Sequence, residues 1–236
     1  MTSDATAARP ASARRTRLSP AERRASILAA ATGVFSRVGY QKAKMSDVAA
    51  AIGVTEPVVF QNFGTKSALY VAVLEQAGQH MGEAFARRAW HGATPRSALE
   101  DLLSPEHLEA MHSGEGHGVL FADAMTLISD PEIGATARSA VGVAADALSG
   151  LIADGQRAGE LRAELDPEAA AWSVLSMMAS YYFRVAVMPD RARLEQGVSE
   201  LMLRALISED GDGSKGMEKG GGRGAARESG AERKRV

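Results

Sequence analysis

Cysteine is absent from all 236 residues, which excludes a disulfide framework, thiolate zinc sites and thiol nucleophiles. The opening stretch, "MTSDATAARPASARRTRLSP", has no apolar run behind its charges. No secretory leader is therefore expected, and the protein should stay in the reducing cytoplasm. Long hydrophobic runs are also missing. The longest uncharged apolar stretch, Ala169 to Phe183, is interrupted by three serines and is shorter than the ~18 residues a membrane span needs. It reads as a buried helix, and no membrane partner is expected. No segment alternates convincingly with the period of a strand.

Catalytic constellations are equally scarce. No paired carboxylates, nucleophile with base, or metal set stands out, which argues against an enzyme and a cofactor. His107, His112 and His117, with Glu109 among them, are spaced by five rather than the four that puts ligands on one helical face. They read as surface histidines, with "HSGEGH" as a loop. "GEGHG" lacks a preceding strand and "GDGSKG" lies in a Gly-rich charged tail, so neither is a nucleotide loop.

Charge is present in abundance but unevenly placed. Residues 1–66 hold ten Lys/Arg and four Asp/Glu, whereas residues 67–207 hold ten and nineteen. A basic first third on an acidic body points to a polyanion as partner of that third alone.

Proline positions mark where helices begin. Ser19-Pro20, Thr94-Pro95, Ser104-Pro105, Asp130-Pro131 and Asp166-Pro167 each place a side-chain oxygen where free amides need an acceptor. The proline that follows has a preset φ and no amide hydrogen to lose. Ser19 with Glu22 completes a capping box. Ile27, Ala31, Phe35 and Val38 then fall on one helical face, and apolar residues recur every three or four positions from Leu69 to Phe85. Residues 167–187 are apolar on nearly every face, whereas 191–207 carry a stripe of Leu194, Val198, Leu201 and Ala205. The expectation is an all-α protein of roughly nine helices. The ends, 1–18 and 209–236, lack apolar period and are expected to be disordered. Arg14, Arg15 and Arg17 in the first of these could form a minor-groove arm or a solvated leader.

The informative stretch is "GYQKAKMSDVAAAIGVTEPVVFQNFGTKSAL". "MSDVAAAIG" reads as a short helix stopped by Gly53 in the left-handed conformation. Thr55 is placed to cap a second short helix, with Pro57 in its first turn. Two short helices joined by a glycine turn make a helix-turn-helix. Val59 and Phe63, four apart, should pack inward, leaving Glu56, Val58, Gln61 and Asn62 on the open side. Such a helix fits the major groove, where Gln pairs with adenine, a carboxylate accepts from cytosine and Val58 meets a thymine methyl. Lys66 should meet a phosphate.

These residues resemble the tetracycline-repressor (TetR) family of bacterial regulators. The marks are "GY" at 39–40, "DVAAAIGVT" at 47–55 and "FQNFGTKSAL" at 60–69. The resemblance implies an N-terminal three-helix DNA reader over about 19–80, with its motif at 44–63. It also implies a helical ligand-binding and dimerisation domain over 81–208. The family's phosphate-contacting tyrosine and histidine appear as Phe60 and Asn62, and its threonine at the start of the second helix as Ala43, with Lys44 beside it as a substitute. By the same analogy the last two long helices, over 167–187 and 190–207, form a homodimer interface that includes Leu175 and the stripe. Met111, Phe121, Met125, Trp172, Met178, Tyr181 and Tyr182 are candidates to line a small-molecule effector pocket. The expected function is a ligand-responsive regulator, a repressor that binds a palindromic double-stranded operator as a homodimer and is released by an effector. The alternative is a helical enzyme or interaction protein whose N-terminal module does not bind DNA.

Overall fold

The computed structural model describes residues 18–90, 94–113 and 117–208. The arm with Arg14, Arg15 and Arg17, the tail 209–236 and residues 114–116 of "HSGEGH" lie outside them. The chain folds as α1 (Pro20–Lys42), α2 (Met45–Ala51), α3 (Glu56–Phe63) and α4 (Lys66–Trp90). Then come α5 (Pro95–Leu102), α6 (Pro105–His112), α7 (His117–Thr126) and α8 (Pro131–Arg157), followed by α9 (Pro167–Ala179), α10 (Tyr181–Val187) and α11 (Arg191–Leu206). Among the described residues the only β pairing is one isolated bridge, Leu161 to Ile207. The fold is all-α, as expected.

All five cap-proline pairs open a helix. The Ser19 hydroxyl accepts from the Glu22 amide, and the Glu22 carboxylate accepts in return from the Ser19 amide at 2.7 Å. Those bonds hold the Glu22 carboxyl below its usual pKa. Thr94, Ser104, Asp130 and Asp166 likewise accept first-turn amides of α5, α6, α8 and α9.

Among the described residues eleven helices stand where roughly nine were expected. One reason is that the single helix expected over 167–187 breaks at Ser180 into α9 and α10. At the break the Met177 carbonyl accepts from Ser180 Oγ and from Arg184 Nη1. The Arg184 side chain, 7% exposed, also donates through Nε to both oxygens of Glu195 on α11, at 3.1 Å each. A buried ion pair thus fixes α10 against α11 in a segment whose sequence reads as apolar. Nor is that segment covered on all sides: Trp172 and Phe183 are 44% and 67% exposed.

Two apolar clusters organise the molecule. The first gathers Ile27, Val34 and Phe35 of α1, Val48 and Ala49 of α2, Val59 and Phe63 of α3, and Leu69, Tyr70 and Leu74 of α4. Val38, expected on the buried face of α1, is instead exposed, with Val34 in its place. Leu120 and Ala124 of α7 and Ile133 and Ala137 of α8 complete that cluster. The second joins Phe85 to α5, α6, α9 and the middle of α8. The long helices α4 and α8 run through both clusters and pack closely. A Cβ on Gly78 of α4 would stand 2.5 Å from the Ala140 Cβ of α8, so only glycine permits this approach. The boundary drawn at residue 80 falls inside α4.

Candidate functional site

Helices α2 and α3 meet at a turn in which Gly53 adopts φ 67°, as expected of a left-handed stop. Val59 is fully buried and Phe63 nearly so, while Glu56, Pro57, Phe60 and Gln61 are exposed and Val58 is half-buried. Glu56, Pro57, Phe60 and Gln61 therefore face outward from the first cluster. Lys44 is exposed just before α2, where its amide donates to the Asp47 carboxylate at 3.2 Å.

Three expectations are corrected here. Thr55 is exposed and precedes α3, but its hydroxyl caps no amide. Pro57 removes one first-turn donor, and the Val58 amide bonds the Thr55 carbonyl at 3.0 Å. Asn62 is half-buried rather than open, because its amide donates back to the Val58 carbonyl at 2.7 Å. Ala43 does not start α2; it lies buried at the end of α1. Lys66, expected at a phosphate, is held within the fold: its Nζ lies 4.6 Å from the centre of the Tyr40 ring and donates to the Gln41 carbonyl at 3.3 Å. Arg24 of α1, which the motif did not single out, braces α3 instead. Its guanidinium covers the Phe63 ring at 4.0 Å and donates to the Asn62 carbonyl at 2.6 Å.

A second site opens in the other half of the molecule. A cavity of about 240 Å³ is lined by residues of α4, α6, α7, α8 and α9, and Met111, Phe121, Met125, Trp172 and Met178 all face it. Leu175, assigned to the dimer interface from sequence, also lines it, as do Met81, His112 and Ser176. Tyr181 and Tyr182 do not line the cavity. They pack behind His112, which stacks on the Tyr181 ring at 4.4 Å and meets Tyr182 edge-on at 5.3 Å. His112 is thus buried, 8% exposed, rather than a surface histidine. Its Nδ1 donates to the Leu108 carbonyl at 2.8 Å, and burial pushes its pKa below the ordinary histidine value. His107 and His117 are half-buried. Among the described residues no cluster of three His, Asp or Glu could hold a metal, and no helix is long and apolar enough to cross a membrane.

Helix α7 joins the two sites. Gly118, Phe121, Ala122 and Met125 line the cavity, while Asp123 turns toward α1. Asp123 Oδ2 accepts from the Tyr40 amide at 2.7 Å and from the Tyr70 hydroxyl at 2.8 Å. Burial and that carboxylate raise the Tyr70 pKa far above the usual phenol value. Gly39, the residue before Tyr40, interrupts α1 with φ 73°, and a Cβ there would stand 2.8 Å from Asp123 Oδ1. Any side chain at 39 would meet both a strained backbone and this carboxylate.

Residues 27–73, which hold the paired short helices, match the sequence model of the bacterial regulatory proteins of the tetR family. The chain is also 32% identical, over 151 residues, to the HTH-type transcriptional activator FasR of Mycolicibacterium smegmatis. The chain belongs to the tetR family of bacterial regulatory proteins. The alignment with FasR covers 61% of this TetR-family chain and 66% of its relative. The fold agrees over a greater length. A TetR-family regulator from Agrobacterium tumefaciens superposes with a TM-score of 0.67 at 18% identity, over 80% of this chain and all of that one. A structure described as the molecular basis for control of antibiotic production by bacterial hormones gives 0.56 at 28% identity, over 79% and 98%.

The candidate dimer face lies on α9 to α11. Leu201 is 69% exposed and Ala205 is exposed, whereas Leu194 and Val198 are half-buried. Phe183, Val185 and Val187 of α10 add further uncovered apolar surface.

Proposed function

We propose that this TetR-family chain is a transcriptional regulator that binds a two-fold operator as a homodimer and responds to a small molecule held in the α4–α9 cavity. The observation that carries the reading is α3, anchored by Val59 and Phe63 while Glu56, Pro57, Phe60 and Gln61 stay open to solvent. In the major groove Gln61 pairs with adenine, Glu56 accepts from a cytosine amino group, and Val58 and Phe60 meet thymine methyls. Lys44 and the uncommitted Thr55 hydroxyl take phosphates. Lys66 reaches a phosphate by leaving the Gln41 carbonyl, and Asn62 acts by fixing the end of α3.

The apolar surface of α9 to α11 supports pairing with a second copy, because two-fold symmetry buries the same patch on both subunits. Two α3 helices then stand about one DNA turn, ~34 Å, apart. An effector acts through differential affinity for two spacings of these helices. A coupling of about 1 to 3 kcal/mol changes DNA affinity roughly 5- to 150-fold. The route is α7: a displaced cavity wall moves Asp123, and Asp123 holds the end of α1. Repression or activation then depends on where the operator lies relative to the promoter. The FasR relative is named an activator, and a repressor released by its effector is the sequence-based expectation. Footprinting of the region upstream of the gene is the test. Two protected half-sites about one turn apart are expected, and no protection at low salt would overturn the reading.

A further inference from the structure

The polar groups of the cavity specify what it holds. Among the described residues its lining carries no Asp, Glu, Lys or Arg, and four methionines, Met81, Met111, Met125 and Met178, give it an adaptable apolar wall. A carboxylate, phosphate or ammonium buried there would find no counter-charge among them. His112 has already committed its Nδ1 proton to the Leu108 carbonyl, so its neutral ring offers the cavity only the Nε2 lone pair. Among the described residues no hydrogen bond reaches that nitrogen. Ser176 is in the same position, since its hydroxyl proton goes to the Trp172 carbonyl at 2.7 Å and leaves only lone pairs. The remaining polar side chain, Trp172, stands 44% exposed, where water reaches it. Among the described side chains, the enclosed part of the site therefore has acceptors and no free donor.

We infer that the cavity binds a neutral, largely hydrocarbon molecule carrying one hydroxyl or N–H group, which donates to His112 Nε2. This rests on the effector reading above and names the chemistry of that effector. The volume of about 240 Å³ lies below the roughly 300 to 1,000 Å³ typical of ligand sites. The hydrocarbon body is accordingly a medium chain or a single ring.

The test is calorimetric titration of the full chain with three probes that share an eight-carbon chain: 1-octanol, its methyl ether and octanoate. Octanol is expected to bind about 2- to 12-fold more tightly than the ether, the worth of one hydrogen bond. Octanoate is expected to bind more weakly than either. In His112→Phe, which keeps a ring to stack on Tyr181, octanol should fall to the affinity of the ether while the ether is unchanged. Equal binding of alcohol and ether by the parent protein would overturn the proposal without reference to any variant. So would tighter binding of octanoate, or no octanol binding up to its solubility limit. Repeating the titration with operator-bound protein separates the two readings. Discrimination by octanol with no change in DNA affinity keeps the ligand chemistry and sinks the regulatory coupling.

Discussion

Two outward faces of the molecule, α3 and the α9–α11 surface, are built on the same plan and finished in opposite chemistry. Each buries one side in an apolar cluster and leaves the other uncovered. On α3 the uncovered side holds Glu56, Gln61 and the ring of Phe60, groups that hydrogen-bond or stack in a wet groove. On α9 to α11 it holds Phe183, Val185, Val187 and Leu201, groups that gain only by leaving water. Helical pattern alone would class both as half-buried. On the proposed reading, the chemistry of the free side separates a face for a polyanion from a face for a second copy of the chain.

The comparison breaks first at Leu201. Symmetry counts this side chain twice, so Leu201→Glu should cost the dimer about 3 to 6 kcal/mol, twice the usual worth of a buried leucine. Sedimentation velocity should then report a monomer, and parent-like sedimentation would place the interface elsewhere. The scaffold of the same face comes next. Glu195→Ala strands the Arg184 guanidinium in a buried site and should destabilise the fold by about 3 to 5 kcal/mol in chemical denaturation. Replacing both members by apolar residues of similar volume should recover most of that loss. On α3, Gln61→Ala should leave folding intact and relax base preference at one position of each half-site by about 1 to 3 kcal/mol, read by competition with single-base operator variants. Unchanged preference would rule out direct readout by Gln61.

Asp123→Ala tests the link between the regions. It leaves the Tyr40 amide without this acceptor and the Tyr70 hydroxyl with only the Leu120 carbonyl at 3.2 Å, and should cost about 1 to 3 kcal/mol of stability. It should also shrink the effect of an effector on DNA affinity, measured as the ratio of affinities with and without ligand. The smallest effect is pH dependence. Burial lowers the pKa of both His112 and His117, so the folded chain binds fewer protons than the unfolded one as pH falls below about 6.5. Their stability contribution is complete above that pH and is lost on acidification. His112→Phe should flatten the fall in melting temperature between about pH 7 and 5; an unchanged slope would exclude His112 as a source.

Features written in neighbouring residues are legible in the order of the amino acids. Every cap-proline pair opens a helix because cap and amide lie within three residues of each other, and spacing alone places Val59 and Phe63. Contacts across the fold are not legible in that way. Asp123 meets groups 83 and 53 positions away, and nothing local marks it. His112 reads as a surface residue until α10 lays Tyr181 on it. Arg184 hides in an apolar run because its partner, Glu195, sits on a different helix. Five of the seven cavity candidates face the cavity because size and polarity suggested them, whereas Tyr181 and Tyr182 share that chemistry but point elsewhere.

Helix α7 offers one side to the cavity and the other, through Asp123, to the end of α1. On the proposed mechanism, ligand choice and resting promoter occupancy share a single mechanical part. An engineer who reshapes Phe121 or Met125 to admit a new inducer should find the uninduced expression level drifting as well. Retuning the sensor without disturbing its baseline would have to start from the far wall, at Met178 or Leu175, where no such tether is attached.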